Sequence, residues 1–186
     1  MKEGIRKNLL NKRLEHKNIK EDSGKIVKKL LSLPEIQNAQ TILLYYPHKN
    51  EVNVLPLFEI LSFKGKRVLF PKTVNEEIHP VAVNSLKDLR KGNFGILEPE
   101  GKKTEKEHID IVIVPAVAFN KKGYRIGYGK GFYDRFLKDF KGLKVGVAYD
   151  FQIVDDLPVN EHDVPVDIIV TPTNLIKVNK ESSIRN

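Results

Sequence analysis

Apolar residues recur along the chain in two rhythms, and the change from one to the other predicts the order of elements. Ile5, Leu9, Leu10 and Leu14 return at the spacing of one helix face. A second helix is predicted from Ser23, a residue type suited to capping a helix start, through Ile26, Val27, Leu30 and Leu31 to a stop near Pro34. From residue 41 the helical spacing is lost. Residues 41–46 form an apolar run ended by Pro47, the pattern of a strand covered on both faces. Comparable runs occupy 67–70 before Pro71, 109–114 before Pro115, 144–148 before Tyr149, and 167–171 before Pro172. Helical spacing returns between several of them, in Val54, Leu55, Leu57, Phe58 and Leu61 and again from Phe132 to Phe140. Ile78, His79, Pro80 and Val81 lie in an irregular stretch and read as a short edge hairpin or side strand. This alternation predicts an α/β fold in three layers, a doubly wound, mainly parallel sheet with helices on both faces, Rossmann-like in class, as one domain over 1–186.

In open sheets of this kind ligands bind beyond the carboxyl ends of the strands, so chemistry is expected in the segments that follow each run. Tyr46, Pro47, His48, Lys49, Asn50 and Glu51 follow the first; Tyr149, Asp150 and an acidic loop reaching Asp163 follow the fourth. The densest cluster is Arg125-Ile126-Gly127-Tyr128-Gly129-Lys130-Gly131-Phe132-Tyr133-Asp134-Arg135. Three glycines at alternate positions can take positive φ and bring backbone N–H groups close to an oxyanion, just where a helix opens. Arg125, Lys130 and Arg135 add full positive charge. The spacing fits neither a Walker A loop nor the dinucleotide fingerprint. Lys2 and Arg6, four apart, share a helix face on which two cations can meet one polyanion.

Composition narrows the classes. The chain has no cysteine, which excludes disulfides, thiol nucleophiles and thiolate zinc sites and fits a reducing compartment. The opening residues lack a signal-peptide pattern and no run approaches membrane-spanning length, so the expectation is a cytoplasmic protein without a membrane partner. A net charge of +8 and a pI of about 9.5 raise the question of nucleic acid, but the lysines are scattered. An acidic small substrate suits this distribution better, and no nucleic-acid partner is expected.

Residues 115–119 and 123–137, with the glycine stretch inside them, resemble the signature of the 5-formyltetrahydrofolate cyclo-ligase family, also called 5,10-methenyltetrahydrofolate synthetases. Lys2 with Arg6 resembles the family's N-terminal Lys-x-x-x-Arg, and 46–51 its folate-side loop. Residues 94–99 resemble its Gly-Ile-x-Glu-Pro segment, and 163–172 its C-terminal Asp-rich strand. Lys130 and Phe132 depart from residues common there, glycine and tyrosine. With no exposed apolar interface helix suggested by the sequence, a monomer is expected. The resemblance implies an ATP- and Mg²⁺-dependent ring closure of 5-formyltetrahydrofolate to 5,10-methenyltetrahydrofolate, with release of ADP and phosphate. It also implies roles. Lys2, Arg6 and the cradle Arg125, Ile126, Gly127, Tyr128, Gly129, Lys130, Gly131, Phe132 and Tyr133 bind the nucleotide, Arg125 and Lys130 acting on the transferred phosphoryl group. Asp134 and Asp163 hold Mg²⁺. Arg6, Tyr46, Glu51, Tyr128, Phe132 and Tyr133 face the folate. Two rival readings remain open: another α/β enzyme acting on a phosphorylated or CoA-linked substrate, excluded by substrate-dependent ATP consumption, and a basic nucleic-acid module, tested by retention on DNA or RNA.

Overall fold

The computed structural model describes residues 2–178 of the chain. Its strands in order are β1 (Thr41–Leu43), β2 (Arg67–Val74), β3 (Glu77–Ala82), β4 (Arg90–Lys91), β5 (Leu97–Glu98), β6 (Ile111–Val114), β7 (Ala118–Phe119), β8 (Arg125–Ile126), β9 (Leu143–Val147), β10 (Ile168–Val170) and β11 (Leu175–Lys177). The helices are α1 (Lys2–Glu15), α2 (Ile19–Ser32), α3 (Pro34–Asn38), α4 (Leu55–Phe63) and α5 (Phe132–Lys138). Seven strands make one sheet in the order β11-β10-β9-β6-β1-β2-β3. Its five inner strands pair in parallel, and β3 and β11 close the two edges antiparallel. Two short ribbons, β4 with β5 and β7 with β8, stand outside it.

The continuous apolar runs have a direct physical cause. In β1 and just beyond it, Ile42 and Leu44 enter one core and Leu43 the other; Ile111 and Ile113 of β6 oppose Val112 and Val114 in the same way. One core is covered by α2 and α4 through Ile26, Leu30, Leu57 and Leu61, the other by Phe136 and Leu137 of α5. Each large side chain so buried contributes about 1.5–3 kcal/mol. Both faces of the sheet therefore require apolar residues at every position, which erases the usual alternation.

Several local expectations are corrected. Pro71 does not end its strand. β2 runs on to Val74, and Pro71 faces Pro80 of β3. The Val83 N–H donates to the Val68 carbonyl at 3.0 Å, and counting alternate pairs from there puts 71 and 80 at a position where neither residue needs an N–H. Ser23 is not a cap but a buried residue inside α2, whose Oγ accepts the Asn53 N–H at 2.8 Å. Leu14 is 54% exposed, while Arg13 beside it is buried. Regular pairing of the first strand stops near Leu44, whose N–H donates to the Leu69 carbonyl at 2.8 Å, so Tyr45 and Tyr46 belong to the following loop.

Chain direction sets the site. From β1 the path goes through α4 to β2 on one side, then returns at β6 on the other side of β1. The segments leaving β1 and β6 diverge there and open a crevice at the carboxyl edge of the sheet.

Candidate functional site

A cleft of about 990 Å³ occupies this crevice. Pro115 and Ala116, which follow β6, line it, and the β7–β8 ribbon carries the chain into the glycine loop. That ribbon is fixed by buried amides. Asn120 Oδ1 accepts the N–H groups of Lys122 and Tyr124 at 3.1 and 3.0 Å, and Gln152 Nε2 donates to the carbonyls of Ala116 and Val117 at 2.9 and 3.1 Å. Leu9 of α1 packs on Val117, Ala118 and Ile126, which seats the first helix against the loop.

Two of the three loop glycines take the left-handed backbone; Gly127 does not, and a Cβ there would instead lie 2.9 Å from Arg125 Nη2. Gly129 and Gly131 have φ of +96° and +72°, and Gly131 immediately precedes α5. A Cβ at 131 would lie 2.7 Å from Arg135 Nη1. Arg6 Nε donates to the Gly127 carbonyl at 2.7 Å, and Arg6 also pairs with Glu3. Lys2 Nζ reaches Asp163 Oδ2 at 3.2 Å. Lys130 is exposed at the cleft. Arg135 also lines the cleft, donating to the Glu76 carbonyl at 2.7 Å and lying over the Phe132 ring at 5.4 Å.

Arg125 is buried beneath the loop. Its Nε donates to the Pro115 carbonyl at 3.3 Å, its Nη1 is 3.9 Å from Asp134 Oδ1, and its guanidinium lies 5.2 Å from the Tyr133 ring centre. Burial lowers its pKa; the carboxylates of Asp134, Asp163 and Glu51 oppose that shift. Asp134 Oδ1 accepts the Val164 N–H at 3.4 Å, and Asp163 Oδ2 accepts the Asn160 N–H at 2.9 Å, which places both carboxylates toward one end of the cleft. Among the described residues no group of three or more His, Asp or Glu side chains is arranged to hold a metal. Two hard oxygen donors suit Mg²⁺, which keeps water and phosphate oxygens in its remaining positions.

Glu51 lies at the other end, 6% exposed. Oε1 accepts the His48 N–H at 2.8 Å, and the Tyr128 hydroxyl hydrogen-bonds the carboxylate. Burial raises its pKa to about 7, against the opposing pull of Arg13, the two hydrogen bonds and Arg125. Burial likewise pushes the Tyr128 phenol up to about 12, and that of Tyr133 still higher, with the Glu51 charge adding to both. These hydroxyls are donors at neutral pH.

Of the residues singled out in the sequence, Lys2, Arg6, Glu51, 125–135 and Asp163 all line the cleft. Tyr46 does not; it packs against the core, and Tyr45 lines the cleft in its place, its hydroxyl donating to the Val52 carbonyl at 2.6 Å. Several lining residues have no role in the sequence reading, Tyr45 and, inside the 94–99 segment, Phe94 and Glu98 among them. Tyr45 was hidden by a one-residue phase. Phe94, 59% exposed and edge-on to Phe132 at 6.1 Å, holds φ +61°, a backbone that only the fold reveals. Glu98, buried, takes the N–H and hydroxyl of Thr73 at 3.1 and 2.8 Å.

Comparison with known proteins follows the same pattern. A solved structure of 5,10-methenyltetrahydrofolate synthetase from Aquifex aeolicus superposes with a TM-score of 0.86 at 43% identity, covering 96% of this chain and 93% of that one. The corresponding protein from Mycoplasma pneumoniae gives 0.76 at 33% identity over 92% and 98%. In sequence, the 5-formyltetrahydrofolate cyclo-ligase of Escherichia coli strain K12 is 32% identical over 161 residues, 79% of this chain and 86% of the relative. The family model of 5-formyltetrahydrofolate cyclo-ligases matches residues 1–172. With that match, and with the glycine loop, Glu51 and the paired aspartates gathered in one cleft, the chain belongs to the 5-formyltetrahydrofolate cyclo-ligase family.

Proposed function

We propose that the protein converts 5-formyltetrahydrofolate, ATP and Mg²⁺ to 5,10-methenyltetrahydrofolate, ADP and phosphate, acting as a cytoplasmic monomer. The observation that carries this reading is the division of the cleft. One end holds backbone N–H groups, cations and two carboxylates; the other holds a buried acceptor, Glu51, among phenols.

A formamide oxygen is a poor leaving group. Its attack on the γ-phosphorus expels ADP and makes it a phosphate ester, N10 then adds to the formyl carbon and gives up its proton, and the carbon–oxygen bond breaks as phosphate departs with that proton. The protein's part is positioning and charge. Lys2, Arg6 and the N–H groups of 127–131 hold the triphosphate. Arg125, buried and directed by Pro115 and Asp134, stabilises the charge that spreads over the transferred group, and Lys130 supports it from the cleft mouth. Asp134 and Asp163 would hold Mg²⁺, which neutralises phosphate charge when bound. Glu51 accepts from the N–H edge of the pterin, and Tyr128, Phe132 and Tyr133 offer ring faces.

The test is the appearance of the methenyl chromophore from 5-formyltetrahydrofolate with and without ATP and Mg²⁺. Product without nucleotide would overturn the phosphorylation route; no product under any condition would overturn the function. For Asp134→Asn the expected result is a rise in half-saturating Mg²⁺ by about tenfold or more. An unchanged magnesium titration counts against Asp134 as a ligand.

A further inference from the structure

Arg13 of α1 is 1% exposed, a depth that guanidinium groups seldom reach. Its contacts are a carbonyl and a hydroxyl: Nε donates to Lys49 O at 2.9 Å and Nη2 donates to the Tyr128 hydroxyl, while Nη1 is buried without a hydrogen-bond partner among the described residues. The segment it grips is strained. Lys49 and Asn50 have φ of +47° and +64°, a backbone that a lysine rarely adopts and that persists only where the surroundings over-determine it. Those surroundings are present. Asn50 Nδ2 donates to the Arg13 and Leu14 carbonyls, each at 3.2 Å, and the Tyr149 hydroxyl donates to Asn50 O at 2.9 Å. The turn ends at Glu51, which closes it through the His48 N–H.

We propose that Arg13 is a positioning residue for the folate end of the cleft: it ties the strained turn 48–51 to Tyr128 of the glycine loop, so that the Glu51 carboxyl and the Tyr128 hydroxyl meet the substrate as one rigid unit. The proposal rests on the reading of Glu51 as the acceptor for folate. It separates Arg13 from Lys2 and Arg6, which lie on the same side of α1 but reach the opposite end of the cleft. A guanidinium forks to two acceptors whose geometry a lysine ammonium cannot copy. Arg13 also bears on the charge of Glu51. That carboxyl is faced by Arg13 from α1, Arg125 from β8, Tyr128 from the loop, Tyr133 from α5 and Tyr45 after β1, with Tyr149 beyond and His48 within the turn. Removing the nearby cation makes Glu51 harder to ionise.

The experiment is direct binding of 5-formyltetrahydrofolate, without nucleotide, to the wild type, Arg13→Met, Arg13→Lys, Glu51→Gln and the double variant Arg13→Met/Glu51→Gln. For Arg13→Met, affinity is expected to fall about tenfold, and the acid limb of binding to move up by roughly one pH unit, while affinity for a non-hydrolysable ATP analogue stays within about twofold. Arg13→Lys keeps the limb but loses affinity several-fold. In the double variant, Arg13→Met adds little to the loss from Glu51→Gln. Unchanged folate affinity in a folded Arg13→Met, or equal loss of folate and nucleotide affinity with additive effects in the double variant, overturns the proposal. Should Arg13→Met not fold, wild-type folate affinity in Arg13→Lys overturns it. Wild-type folate binding by Glu51→Gln removes the reading of Glu51 and this proposal with it; a large loss in Glu51→Gln beside an unaffected Arg13→Met removes this proposal alone.

Discussion

Arg125→Met is expected to lower turnover by about 10²-fold or more while leaving the fold intact, the scale of losing a donor to the transition state. The reason lies in its burial and its neighbours. Arg125 sits beneath the loop between Asp134 and Glu51, linking the two ends of the cleft, in a place where neither water nor a mobile lysine can stand in for it. In such surroundings a fixed cation is worth far more than in water. Lys130 was expected from the sequence to matter as much, but it is exposed, and the charge of an exposed side chain is screened. Lys130→Ala is therefore expected to lower turnover only about fivefold. Steady-state kinetics beside a thermal unfolding control check both. Wild-type turnover in Arg125→Met, or equal losses in the two variants, would remove the buried cation from the chemistry.

The second large effect falls on Glu51. Glu51→Gln is expected to raise the KM for 5-formyltetrahydrofolate by roughly 10- to 100-fold, the range of a hydrogen bond to a charged acceptor, with little change in the KM for ATP. The same substitution has two pH signatures. On the proposed role of Glu51 only the ionised carboxylate accepts fully from the pterin edge, and with burial raising its pKa to about 7 that form is lost as pH falls. The wild-type kcat/KM for folate should thus decline below about pH 7, and Glu51→Gln should lack that limb. Stability runs the other way. The folded pKa is raised above the unfolded value of 4.5, so the folded state binds more protons between the two and loses stability as pH rises through this window. Between about pH 5 and pH 8 the unfolding free energy of the wild type should drop relative to Glu51→Gln by roughly 2–3 kcal/mol. A parallel pH dependence in the two proteins would contradict the buried, hard-to-ionise carboxyl.

These effects show which parts of the molecule a linear reading reaches. The five inner strands were legible because both faces of the sheet are covered, and a doubly covered strand announces itself in four or five adjacent residues. The glycine loop was legible for a similar reason: positive φ, close approach and charge are all written within 125–135. What failed depends on partners distant in sequence. Whether Pro71 ends a strand depends on its register with Pro80, and whether Ser23 caps a helix depends on Asn53 claiming its hydroxyl. Tyr45 and Tyr46 exchange places because the strand releases the chain near Leu44.

Arg13 is the clearest case. It follows Lys2 by eleven residues and Arg6 by seven, so it falls on the same side of α1, and that spacing was the one local hint of its direction. Leu14 beside it outweighed the hint, because leucine is the residue expected to be buried. The partners that reverse the choice, Lys49 and Tyr128, lie 36 and 115 positions away. The site is thus half local and half assembled: the glycine-loop end can be read from composition and spacing, and the Glu51 end exists only once α1, the turn after β1 and the loop after β8 have met.

The most direct measurement is a crystal structure of the protein with a non-hydrolysable ATP analogue, Mg²⁺ and 5-formyltetrahydrofolate. The expected result is the triphosphate on the N–H groups of 127–131 with Lys2 and Arg6 on its oxygens, Asp134 and Asp163 at the metal, and the pterin edge on Glu51. A triphosphate bound away from the glycine loop, with that loop left empty, would contradict the account.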